Sequence, residues 1–127
     1  MRKSAAAPTL GALIALLAAP ALAADATQEI KTAALHAGMA SASDTLEMVR
    51  AHLHHALNCL EGPKGAQFDA KAINPCKDQG MGAIPDSPPA KRKALEAAAS
   101  QANAALAEPN MAKAKAMAEQ VQKSLLK

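Results

Sequence analysis

The sequence predicts an all-α, up-and-down bundle of three to four helices carrying a long, disulfide-stapled loop. Three observations lead there. Apolar residues recur at steps of three and four through much of the chain, capping residues and prolines punctuate those stretches, and aromatic residues are nearly absent, with Phe68 alone and no Trp or Tyr. A core without rings must be built from Leu, Val, Ile, Met and many alanines. Small side chains let helices approach closely but bury little area each. At about 25 cal/mol per Å² of apolar surface, such a core is marginal for a chain of this size. Covalent fixation is therefore expected, and Cys59 and Cys76 can supply it.

The N-terminal end reads as an export leader. Arg2 and Lys3 precede an apolar segment from Leu10 to Leu22, which closes on Ala21-Leu22-Ala23, a small-x-small cleavage site. The segment is shorter than the roughly 20 residues a spanning helix needs. Residues 1–23 are thus expected to be a signal peptide, and residues 24–127 a single periplasmic domain with no membrane span in its mature form. No cysteine sits at the cleavage site, which argues against a lipoprotein. The formal charge of +3 includes Arg2 and Lys3, so part of the basicity leaves with the leader. Nucleic acid is not implied, because no basic run is interleaved with aromatics. Lys91-Arg92-Lys93 reads as a solvated turn at a helix start.

Four helices follow in order. The first spans about 25–37, with Ile30, Ala33, Ala34 and Ala37 at helical spacing and Gly38 as a C-terminal stop. The second spans about 44–60. Asp44 is expected to cap it while Glu47 reaches back, and Leu46, Val49, Leu53, Leu57 and Leu60 form its apolar stripe. A continuous helix through Gly38 is the alternative, since one glycine costs only about 1 kcal/mol. Residues 61–87 read as a loop, with glycines at 62, 65, 80 and 82 and prolines at 63, 75 and 85. Phe68, Ile73 and Ile84 are expected to pin it. So long a loop tends to be functional or cross-linked. Asp86-Ser87-Pro88-Pro89 then opens a third helix, about 88–107, buried through Leu95, Ala98, Ala102 and Leu106. Glu108-Pro109-Asn110 breaks it, and the fourth, about 110–126, buries Met111, Ala114, Met117 or Ala118, Val121 and Leu125.

One stretch carries ligand chemistry. Met48, His52, His55 and Cys59 share a narrow stripe of the second helix, beside its leucine stripe. Imidazole nitrogen and thioether sulfur are donors for Cu, Ni or Zn. The bland alternative is that these histidines are boundary residues and Met48 a core residue. His54 points elsewhere, and His36 can join only if the first two helices fold back as a hairpin. A hairpin turning near Ala40 and Ser41 would set Glu29 opposite His52 and Asp25 opposite Ala56. Those carboxylates, or a mature N-terminal amine near Ala24, would complete the shell. Binding needs neutral imidazole, so affinity is expected to weaken as pH falls through about 6.5. The cysteines are expected to pair instead of ligating, because an exported chain meets an oxidising compartment.

Enzyme chemistry is not indicated. The sequence has no C-x-x-C-H for covalent haem and no close dithiol, and neither paired carboxylates nor a phosphate-cradling loop stands out. The shortage of aromatics also argues against a packed b-type haem.

Leu35-His36-Ala37-Gly38 through Asp44-Thr45-Leu46, followed by Met48 and His52, resembles the exported small metal-binding proteins built of His-bearing helical hairpins. The similarity covers roughly residues 30–60, with a fainter echo at 103–127. It implies metal binding by the histidines, which here are His36, His52, His54 and His55; the second half has none. The insertion carrying Cys76 departs from the family pattern. The competing expectation is a structural module without metal, whose Ala-rich last helices dock another periplasmic protein.

Overall fold

A computed structural model describes residues 26–127; the expected leader at 1–23, Ala24 and Asp25 lie outside the described residues. The described chain is all-helical: α1 (Ala26–Ala42), α2 (Leu46–Glu61), a single turn α3 (Ala83–Asp86), α4 (Pro89–Ala107) and α5 (Met111–Leu125). It forms the expected up-and-down bundle. Two hairpins, α1–α2 and α4–α5, pack side by side, so that α1 lies against α5 and α2 against α4. Among the described residues no helix is long and apolar enough to cross a membrane.

The first two helices are separate, and the break falls later than Gly38. α1 runs on to Ala42, with Gly38 inside it. A Cβ at position 38 would meet the side-chain amide of Gln122, so this glycine marks close approach of α5 instead of a helix stop. α1 ends where Ser41 Oγ donates to Gly38 O at 2.7 Å and Ser43 Oγ donates to Met39 O at 2.8 Å. These hydroxyls bond carbonyls of the last turn of the helix. α2 is then capped by Thr45, not Asp44: the Met48 amide donates to Thr45 Oγ1 at 3.2 Å. The expected cap at α4 also differs. Pro88 occupies the N-cap with no side-chain bond, Ser87 is buried, and Asp86 turns back to accept from the Met81 amide at 2.7 Å. At α5, Asn110 accepts from the Lys113 amide at 3.0 Å.

The core is the alanine-rich one the composition requires. Ala33, Ala37 and Ala40 of α1 are fully buried, as are Val49, Leu53, Ala56 and Leu60 of α2. In α4 and α5, Ala98, Ala99, Ala102, Ala105, Ala114 and Ala118 are buried too, so these small residues serve packing within the bundle. Of the expected face residues of α5, Met111 stays exposed at the first turn.

Residues 62–82 contain no strand and no helix, yet they are tightly held. The disulfide Cys59–Cys76 joins them to the last turn of α2, as expected. Asn58, almost wholly buried, reaches across with its side-chain amide. Its Nδ2 donates to Asp69 O at 2.9 Å and Ile73 O at 3.1 Å, while its Oδ1 accepts from the Asp69 amide at 2.8 Å. From α1, Thr32 Oγ1 donates to Gln79 Oε1 at 3.1 Å and Glu29 Oε1 accepts from the Gly82 amide at 2.8 Å. Gly62 and Gly82 both have positive φ, and a Cβ on Gly62 would collide with the Met81 carbonyl. The loop thus returns to α2 backbone against backbone. Apolar anchoring is weaker than expected: Phe68 and Ile84 are half-buried, but Ile73 is 68% exposed because its carbonyl, and not its side chain, is what Asn58 grips.

Two stability outcomes follow from these anchors. Replacing both cysteines by alanine removes a cross-link with a sequence separation of 17. In the chain-entropy model this should lower stability by about 3 kcal/mol. Denaturant unfolding should show that loss while far-ultraviolet circular dichroism of the folded variant stays helical. Asn58→Asp keeps the acceptor but deletes buried donors, leaving the Asp69 and Ile73 carbonyls without their partner. A loss on the order of 3 kcal/mol is expected. An unchanged unfolding midpoint would contradict the anchoring role.

Candidate metal centre

The hairpin turn at residues 43–45 decides which side chains of α1 and α2 face each other. It sets His36 opposite His52, with Nδ1 to Nδ1 at 3.3 Å. His55, one turn along α2 from His52, closes the group. One ring nitrogen from each of His36, His52 and His55 lies within 4.8 Å of the others. The His55 ring stands edge-on to both neighbours, with centroids 5.1 Å from His36 and 5.5 Å from His52. All three rings are half-buried. This group of nitrogen donors can hold a metal ion.

The spacing suits an ion. Metal–nitrogen bonds of about 2.0–2.1 Å in tetrahedral geometry place ligand atoms about 3.3–3.4 Å apart. The His36–His52 separation of 3.3 Å already matches that edge. As a hydrogen bond, the same contact requires one ring to carry Nδ1–H and the other to accept it, so the two rings must be opposite tautomers. His55 Nδ1 is buried with no hydrogen-bond partner, an unsatisfied polar atom on one of the three rings.

Electrostatics disfavour the charged forms of His36 and His55. The His36 pKa is lowered to about 4, first by burial and then by the neighbouring His55 and His52. That of His55 is lowered as well, by burial and then by His52 and His54. Charging any one ring places a cation among imidazoles with no carboxylate in the group to offset it. Neutral imidazole is the form that ligates.

The other candidates fall as follows. Met48 lies one turn before His52 and is 47% exposed. His54 points away from the three-ring group, as expected, and its Nδ1 lies 3.4 Å from Asp69 Oδ2 in the loop. Cys59 is one turn beyond His55 but is committed to the disulfide. Glu29 is not opposite His52. With the turn at 43–45 instead of 40–41 the register shifts along the hairpin, and Glu29 sits fully buried at the loop, bonded to Gly82. Burial pushes its carboxyl pKa up, the Gly82 amide opposes this, and Asp86 adds to the rise. Sequence reasoning missed the anchoring roles of Asn58 and Glu29. A lone amide or acid within an apolar pattern was the available signal. Two surface hollows, about 250 Å³ beside Glu61 and Arg92 and about 430 Å³ between Ala94 and Ser124, are lined by no histidine.

The depressed His36 pKa has a defined consequence for stability. Between pH 6.5 and about 4 the unfolded chain takes up a proton at His36 that the folded apo-protein refuses. Stability at this group is therefore present above pH 6.5 and lost as pH falls toward 4. Proton competition for His36 likewise moves below the 6.5 expected from free imidazole. Denaturant unfolding of wild type and His36→Gln from pH 7 to 4 should show the wild type losing ground relative to the variant across that window. Parallel curves would remove the buried, neutral imidazole from the description.

Comparison with protein-family models, with curated proteins and with solved structures finds no match, so the reading of this centre rests on its own geometry.

Proposed function

We propose that this chain is an exported, non-catalytic helical protein that binds a transition metal ion, Cu, Ni or Zn, and buffers it in the periplasm. The observation that carries the proposal is the convergence of His36, His52 and His55 from two helices, with nitrogens within 4.8 Å and one pair at 3.3 Å. Boundary histidines distributed at random around a helix hairpin have no reason to meet at a ligand edge length. Three imidazoles suit the borderline metals of this series, and carboxylate-preferring Mg or Ca would find no oxygen donor in the group. Met48, adjacent on α2, offers a thioether if copper is the ion. The resemblance of residues 30–60 to exported metal-binding hairpin proteins agrees with this reading. The Cys59–Cys76 disulfide suits the oxidising compartment to which an export leader at 1–23 would send the chain.

Calorimetric titration of the chelated, oxidised protein with Cu(II), Ni(II) and Zn(II) tests the proposal. One ion should bind per chain. Losing an outer-shell partner of a metal site already costs roughly 10–100-fold, so His36→Ala, His52→Ala and His55→Ala should each cost more than that. His54→Ala should leave affinity unchanged. Binding that persists in the His52→Ala, His55→Ala double variant would place the site elsewhere. A chain that binds no ion more tightly than its triple-alanine variant would leave the partner-binding module as the surviving reading.

A further inference from the structure

Resting on the three-histidine reading, we infer that the centre keeps one coordination position for a small external anion, so that the loaded protein is a ternary metal–anion complex and not a closed cage. The donor set is one argument. Among the described residues, His36, His52 and His55 form a group of three with no carboxylate or thiolate in it. The other candidates lie outside it: Glu29 holds the Gly82 amide at the loop, Asp69 faces His54 and the Lys71 amide, and Cys59 is bonded to Cys76. Three nitrogens leave a four-coordinate ion one ligand short.

Charge is a second argument. Three neutral imidazoles do nothing to offset the two positive charges of a divalent ion, and a half-buried position deprives that ion of part of its water. An uncompensated charge in such a place favours the arrival of an anion. Access is the third. Each of the three residues keeps part of its surface exposed. Met39, three residues after His36, and Met48, four before His52, are themselves 41% and 47% exposed. The site therefore selects a small monodentate anion, such as hydroxide, halide, azide or a single carboxylate oxygen. A bulky chelating ligand would need two vacant positions.

Replacing the ion by Co(II) makes both the metal and its fourth ligand visible. The oxidised protein loaded with one Co(II) should show the intense visible bands of tetrahedral coordination, and titration with azide should shift them saturably at one azide per metal. His54→Ala should respond as the wild type does. Tetrahedral bands that do not move under excess azide or chloride would overturn the inference while leaving metal binding intact. In that case an azide response appearing only in Met48→Leu would identify the thioether as the fourth ligand. Absence of tetrahedral bands in both wild type and His36→Ala would mean that the three-histidine reading itself fails, and this inference with it.

Discussion

The separation between α1 and α2 governs the rest of the molecule. Alanines fill the buried face of α1 at positions 33, 34, 37 and 40, and they meet a second helix whose buried positions include Val49, Leu53, Ala56 and Leu57. Helices faced with alanine can lie close together. Close approach brings imidazoles on facing helices within one ligand edge of each other, which leucine-for-leucine packing would hold apart. Gly38 extends the same logic to α5, where Gln122 occupies the space of the missing side chain. The alanine core thus buries little area per residue yet gives the centre its dimensions.

A core of this kind stabilises weakly, and the loop at residues 62–82 compensates at the far end of α2. The disulfide, the Asn58 amide and the backbone crossing of Gly62 with Gly82 all act on its last turn. His52 and His55 stand on the same helix, seven and four residues before Cys59. Fixing the end of α2 therefore also fixes the rotation of the helix about its axis, and so the direction in which both rings project. Asp69 links the two regions more directly. Its backbone is gripped by Asn58 while its carboxylate faces His54, so the one imidazole of α2 outside the group is held against the loop.

The three rings pay for their proximity in electrostatics. As neutral imidazoles they tolerate one another, with one ring donating to the next, but a single protonation sets a cation beside two polar rings in a half-buried place. No carboxylate lies in the group to offset such a charge, and burial lowers the pKa of His36 and His55. At the Glu29 site a buried acid rests on one backbone amide, and burial raises its pKa.

Much of this was legible along the chain. The helical stripes, the proline starts, the disulfide and the His52–His55 pair each depend on residues close in sequence or on the chemistry of the compartment, and periodicity reports such relations directly. The position of the first hairpin turn was not legible. Gly38 and Asp44 carry the local signals of a stop and a cap, but packing against Gln122 and the hydroxyl of Thr45 overrode both. A few residues in that turn decide whether His52 faces a carboxylate or an imidazole, because antiparallel register carries any shift along the whole hairpin. Likewise the pattern marked Ile73 as an anchor, although its carbonyl does the work through Asn58. The sequence by itself determined which donors exist and which helix face they share. Tertiary structure alone decided that His36 completes the group and Glu29 does not, since only helix register and interhelical distance can bring ring nitrogens from two helices to within 3.3 Å.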